Sequence, residues 1–192
     1  MAKRENPYEA AFAAWLRARA VPFVEIHEAF RQRLDAVGAV GDAEAAAVTT
    51  KNLDFVVTTP AATWLVDVKG RRFPGSGKRY WNNWATREDL RGLAGWERSF
   101  GAGSGGLLIF AYLLTGDKSP LPADDLFFHR KQWFAFLGIR WFDYAAAART
   151  ISPKWGTVAA PTRRFRELAR PARCFFETTA TAPLPAVTAA RA

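Results

Sequence analysis

The apolar and polar positions along this chain change period several times, and each change marks an element. From Asn6 onward, Tyr8, Phe12, Trp15, Leu16 and Arg19 recur at helical spacing and give one largely apolar stripe. Asn6 suits an N-cap, Pro7 the first helical position and Glu9 the first turn, so a helix is predicted there. Val21 to His27 then reads as a strand. Asn52 to Val57 and Thr63 to Lys69 are rich in β-branched and aromatic residues, and Pro60-Ala61-Ala62 lies between them, which predicts a hairpin. Helical period returns from Arg87 to Phe100, with Leu90, Leu93, Ala94 and Trp96 apolar. Thr86 is placed to cap that helix, and Glu88 and Asp89 fall in its first turn, where acids favour the helix dipole. The glycine run from Gly101 to Gly106 ends it. Leu107 to Leu114 is a continuous apolar run of strand length, the pattern of a strand buried on both faces.

Further along, Leu126-Phe127-Phe128 and Trp133 to Leu137 read as two strands separated by His129 to Gln132. Phe142 to Ala148 reads as a short helix stopped by Ser152-Pro153, Trp155 to Val158 as a last strand, and Pro161 to Ala169 as a basic helix ended by Pro171. The Ala-, Thr- and Pro-rich stretch 178–192 and residues 1–6 read as disordered tails, leaving 7–175 as one domain.

The predicted hairpin carries the candidate chemistry. Side chains alternate across a strand, so Asp67 and Lys69 point to one face while Trp64, Val66 and Val68 point to the other. With Asp54 on the partner strand, two carboxylates and an ammonium meet on an otherwise apolar sheet. Buried acids are costly without compensation, and a divalent metal is the usual compensation.

Asp54 followed by Asp67-Val68-Lys69, set after a capped helix that presents Glu9 and before a helix and a buried strand, resembles the PD-(D/E)XK nuclease superfamily over residues 7 to 114. The resemblance implies an α/β protein with a restriction-endonuclease-like core (helix, three strands, helix, strand) and a mixed central sheet flanked by helices. It implies an Mg²⁺-dependent endodeoxyribonuclease, with Mn²⁺ as a substitute ion. Glu9, Asp54, Asp67 and Lys69 would be catalytic. Asp54 and Asp67 would bind the metal, joined by the Val68 carbonyl and by Glu9 directly or through water. Lys69 would position the attacking water. One departure is Leu53, which stands where the family usually has proline before the first aspartate. DNA is the implied substrate, with RNA left open. Many nucleases of the class act as homodimers, but no interface is readable in this chain.

Charge agrees with a polyanionic partner. The chain carries 27 Lys and Arg against 18 acids, a net charge of +9. The stretch 69–91 holds seven cations against two acids, and 130–173 holds ten against two, while 35–60 is acidic. Basic flanks around an acidic pocket suit a phosphodiester polymer cut with a metal. Lys51, Arg71, Arg72, Lys78, Arg79 and Trp81 are the candidate nucleic-acid contacts, most of them in the predicted loop Gly70 to Trp84. Gly75-Ser76-Gly77-Lys78 is not a nucleotide loop, because Arg72 stands five positions before Gly77 and Arg79 follows the lysine.

Other chemistry is thinner. Cys174 is the single cysteine, so an intramolecular disulfide and a cysteine-based zinc cluster are excluded. His27 and His129 have no partner at ligand spacing. No stretch approaches the roughly 20 apolar residues of a membrane span, so a soluble cytoplasmic protein without a membrane partner is expected. Two other readings compete with the nuclease: a non-catalytic nucleic-acid-binding module of the same fold, and a basic interaction protein in which Asp and Lys form an ordinary salt bridge.

Overall fold

The computed structural model describes residues 6–26, 53–74 and 81–177. Helix α1 (Pro7–Ala18) starts as its sequence requires: the Asn6 side chain accepts the Tyr8 N–H at 3.1 Å, and Pro7 occupies the first turn. Strand β1 (Phe23–Glu25) is shorter than predicted, and His27 lies outside the described residues. Strands β2 (Phe55–Thr58) and β3 (Thr63–Phe73) form the predicted hairpin, with Phe55 opposite Val66 and Thr58 opposite Thr63. A two-residue strand β4 (Ala85–Thr86) leads into helix α2 (Arg87–Phe100). Gly101, at φ +77°, closes the helix in a conformation that costs glycine little. Strand β5 (Ser104–Leu114) follows and pairs parallel with β3 over eleven positions, from Thr63 opposite Ser104 to Phe73 opposite Leu114.

This pairing corrects the sequence reading of Gly70 to Trp84 as a loop. Gly70 to Phe73 are strand, because β5 extends far enough to satisfy their backbone groups.

The remaining elements complete two sheets. Strands β6 (Leu126–His129) and β7 (Gln132–Arg140) are longer than predicted and leave only Arg130 and Lys131 as the turn, both at positive φ as a tight hairpin requires. Helix α3 (Trp141–Ala147), strands β8 (Arg149–Ser152) and β9 (Thr157–Ala159), helix α4 (Thr162–Leu168), strand β10 (Arg170–Pro171) and the short helix α5 (Arg173–Phe176) follow. Strands β8 and β10 and helix α5 are absent from the sequence reading. The predicted last strand begins two residues later than expected, which leaves Trp155 in a turn at 70% exposure.

The larger sheet has the order β1-β2-β3-β5-β7-β10, with β6 also paired to β7. Only β3 and β5 run parallel among these pairings, so the sheet is mixed. β4, β9 and β8 form a second, three-stranded sheet. Helices cover both faces of the large sheet. On one face α1 and α5 pack Phe12, Trp15 and Phe176 against Phe55, Val66 and Phe136, with the Phe12 ring 5.4 Å from those of Phe55 and Phe136. On the other, Leu90, Leu93 and Trp96 of α2, Tyr144 of α3 and Phe165 of α4 cover Leu65, Leu108, Phe110 and Tyr112. Among the described residues no helix is long and apolar enough to cross a membrane.

Candidate active site

Strand alternation divides β3 as its sequence predicts. Trp64, Val66 and Val68 enter the core under α1, while Leu65 and Phe73 enter the core under α2. Asp67, Lys69 and Arg71 share the α2 face with Leu65 and Phe73. Asp67 is 6% exposed and the Lys69 side chain 13%. The Lys69 ammonium lies 2.6 Å from Asp67 Oδ2 and 2.9 Å from Oδ1, so it engages both oxygens of that carboxylate.

Asp54 arrives from the start of β2. The β2–β3 ladder ends at Phe55 opposite Val66, and beyond it the Asp54 side chain takes the place of a strand. Its Oδ2 accepts the Val68 N–H at 2.7 Å. N–H and C=O of one strand residue leave on the same side, so the Val68 carbonyl faces the edge where Asp54 stands. Both acids are thereby fixed, one by its strand and one by a backbone hydrogen bond.

Glu9 comes from the other layer, on the first turn of α1. It is half-buried and accepts a hydrogen bond from the Asn6 side chain. Its negative charge reaches the pair all the same. Burial, then the charge of Glu9, lift the Asp54 carboxyl to about 6 from the ordinary 3.8, against the lowering pull of the Val68 N–H, Lys69 and a hydrogen bond with Asp67. Burial lifts Asp67 to about 7, opposed by Lys69 and aided by Asp54 and Asp89. For Lys69, burial alone would depress the ammonium, but Asp67 and Asp89 outweigh it and hold its pKa above 10.5. At neutral pH Lys69 is therefore a cation and not a free base.

Asp89 is the residue that sequence reasoning passed over. It sits on the first turn of α2, 3% exposed, and its Oδ1 lies 3.0 Å from the Lys69 ammonium. The same side chain completes a capping box: Oδ2 accepts the Thr86 N–H at 2.7 Å while the Asp89 N–H donates to Thr86 Oγ1 at 3.0 Å. The signal that was present is an aspartate at the capping position of the first helix after the lysine-bearing strand.

The predicted nucleic-acid contacts divide. Lys51, Lys78 and Arg79 lie outside the described residues. Arg72 is exposed on β3. Arg71 is turned inward: Nη1 donates to the Gly70 carbonyl at 2.7 Å, Nη2 donates to the Trp84 carbonyl, and the guanidinium lies 3.8 Å from the Trp84 ring centre. Trp81 does not present its ring as a stacking platform. It packs edge-on against Phe73, Tyr112 and Phe165, with the Arg166 guanidinium 5.4 Å from its ring centre. The segment carrying both tryptophans is held down by buried polar groups. Asn83 Nδ2 donates to the Ala160 carbonyl at 3.1 Å, its Oδ1 accepts the Ala160 N–H at 3.0 Å, and the Tyr144 hydroxyl donates to the Asn83 carbonyl. Trp84 stays 42% exposed above Arg71 and is the aromatic that faces solvent beside the site. His129 stacks on Phe127, with ring centres 6.2 Å apart.

No family model matches this chain, and no curated protein does. Among solved structures, one that resembles it can be named. That structure is Hjc, a Holliday junction resolvase from the archaeal hyperthermophile Archaeoglobus fulgidus, at 14% identity and a TM-score of 0.36, covering 67% of this chain and 84% of that one. A likeness at this level carries no chemistry, and the residues of the site must do so themselves.

The donor set fits a hard divalent cation in its chemistry. Burial raises the pKa of both the half-buried Asp54 and the buried Asp67, with Glu9 adding to the first and Asp54 and Asp89 to the second, and an oxygen-seeking cation would offset that charge. Among the described residues, however, no three His, Cys, Asp or Glu side chains converge as a preformed cluster. A cation would therefore have to draw Asp67 away from Lys69.

One close contact aligns α1 with this site. The Tyr8 ring lies against Gly70, and a Cβ at Gly70 would come within 2.2 Å of Tyr8 Cδ2 and 2.4 Å of Cγ. Glycine is required there by the approach of the helix. Gly70→Ala should cost about 1–3 kcal/mol, as overpacked sites do. Urea denaturation checks this, and the cost should vanish in a Tyr8→Ala background; an equal cost in both backgrounds would refute the contact as its source.

Proposed function

We propose that this protein is a metal-dependent nuclease of the restriction-endonuclease-like class, hydrolysing phosphodiester bonds in DNA. The observation that carries the reading is the largely buried set at the β2–β3 junction: Asp54 tied to the Val68 N–H, with Asp67 and Lys69 side by side. The order of elements, a capped helix, three strands, a helix and a long buried strand with one short strand inserted, agrees with that class.

In this reading Asp54, Asp67 and the Val68 carbonyl would hold Mg²⁺ or Mn²⁺, with Glu9 adding negative charge from α1. The bound ion supplies Lewis acidity, polarising the phosphoryl oxygen and lowering the pKa of a water. Lys69, kept protonated, orients the attacking water and balances charge that develops on the phosphate. Trp84, exposed above Arg71, is suited to a base contact, and the exposed Arg72 and Arg87 add positive charge to the surface for a phosphate backbone. Acidic site and basic surroundings together favour a nucleic-acid substrate.

One observation favours a second reading, a nucleic-acid-binding module without catalysis: Lys69 already engages both oxygens of Asp67. The two separate on a labelled panel of linear, nicked, branched and single-stranded DNA with Mg²⁺, Mn²⁺ or EDTA. Cleavage with metal and none with EDTA is expected. Binding without cleavage in any metal would leave the module, and absence of both would leave a basic interaction protein.

A further inference from the structure

We propose that Asp89 is a positioning residue for Lys69, an anchor on helix α2 that keeps the ammonium in the site when Asp67 turns its oxygens to another cation. The proposal rests on the nuclease reading for its consequence but on geometry for its substance. Asp67 and Lys69 belong to the same strand two residues apart, and their contact uses both Asp67 oxygens. A ligand that draws on those oxygens takes them from Lys69. Without a second partner, a buried ammonium on a four-carbon stem would swing out to water.

Asp89 supplies that partner from a different element. Its carboxylate is held by the Thr86 N–H, and its own backbone N–H is held by Thr86 Oγ1. Capping uses one oxygen. The other is surplus to the helix and lies 3.0 Å from the Lys69 ammonium. The capping-box position is commonly Glu or Gln, whose longer chains reach back to the cap. An aspartate there keeps its charge close to the helix axis and turned toward the lysine on β3.

The two roles separate by mutation. Asp89→Asn retains an oxygen for the Thr86 N–H and loses the charge toward Lys69. Thr86→Ala removes half of the capping box and leaves the carboxylate. With Mg²⁺ and the DNA of the panel that is cut fastest, Asp89→Asn should lower kcat roughly 100-fold with KM little changed, the size of loss that a misplaced catalytic group produces. Thr86→Ala should lower the melting temperature and leave kcat unaffected. The second readout needs no cleavage. In nitrogen-15 spectra of lysine side chains recorded with saturating Mg²⁺, so that Asp67 is drawn off, the Lys69 ammonium should be protected from exchange in the wild type and in Thr86→Ala, and lost in Asp89→Asn. A protected ammonium in Asp89→Asn, or equal losses of kcat in the two variants, would reduce Asp89 to a helix cap and overturn the proposal. Should the wild type cut no DNA, the nuclease reading fails, and the ammonium signal alone decides whether Asp89 anchors Lys69.

Discussion

Lys69→Ala should lose metal-dependent cleavage by about 10²–10⁴-fold, the range of a positioned proton-handling or charge-balancing group. It should also lose stability in a way that grows with pH. Removing the ammonium leaves Asp67 and Asp89 buried on the same face without the cation that bridges them. Breaking a buried pair in this manner costs about 3–5 kcal/mol. The sign with pH follows from the carboxyls. In the fold Asp54 and Asp67 titrate near 6 and 7, against 3.8 ordinarily. A raised carboxyl contributes stability that is whole below about pH 4 and is lost as pH rises through the folded value. Lys69 lowers both of these pKa values, so its removal pushes them further up and steepens the loss. Urea denaturation in EDTA should therefore show wild type and Lys69→Ala close together at pH 5 and well separated at pH 8. Parallel curves at the two pH values would mean that Lys69 contributes packing and not charge.

Asp54→Asn should move activity and stability in opposite directions. The amide oxygen of Asn still accepts the Val68 N–H, so the end of the β2–β3 ladder survives. What disappears is a negative charge that burial and Glu9 both disfavour. The metal-free variant should be more stable than wild type at pH 8 by on the order of 2 kcal/mol, and this gain should vanish below about pH 4, where the carboxyl is already protonated. Cleavage should nevertheless fall by about 10³-fold, because a neutral amide is a poor ligand for a hard cation and leaves less charge to hold it. Magnesium supplies the cross-check. A ligand present at about 100 times its Kd raises the stability of a binding-competent fold by roughly 2.7 kcal/mol. Wild type should show such a rise in melting temperature with Mg²⁺, and Asp54→Asn should not. A wild type indifferent to the ion would remove Asp54 from any metal site.

Much of this architecture could be read before the structure, and the reasons differ by element. The β2–β3 hairpin, both long helices and β5 carry strong local signals: alternation, caps, and an apolar run too long for one exposed face. Asp67 and Lys69 followed from alternation alone. Asp89 did not, although Thr86 was recognised as a cap, because its approach to Lys69 depends on how α2 lies across β3. Gly70-Arg71-Arg72 looked like a loop from its composition; its strand state is imposed by eleven positions of pairing with β5. Trp81 looked like a stacking residue because it neighbours cations, and only its edge contacts with Phe73, Tyr112 and Phe165 show where its ring goes. Strands β8 and β10 and helix α5 are two to four residues long and hold no periodicity to detect.

The parallel pairing of β3 with β5 has a consequence for the order in which the protein assembles. Asp67 and Lys69 lie on the outgoing strand of this crossover and Asp89 on the helix within it, so the trio belongs to one topological loop. Parallel strands separated by a helix meet only when that whole loop closes, a non-local step and a slow one. Until then all three charges are in water and cost nothing. Closure removes them from water together, in the act that pairs Thr63 with Ser104. A chain that has shut this loop has already built its charged trio, and one that has not shut it has neither the sheet nor the site.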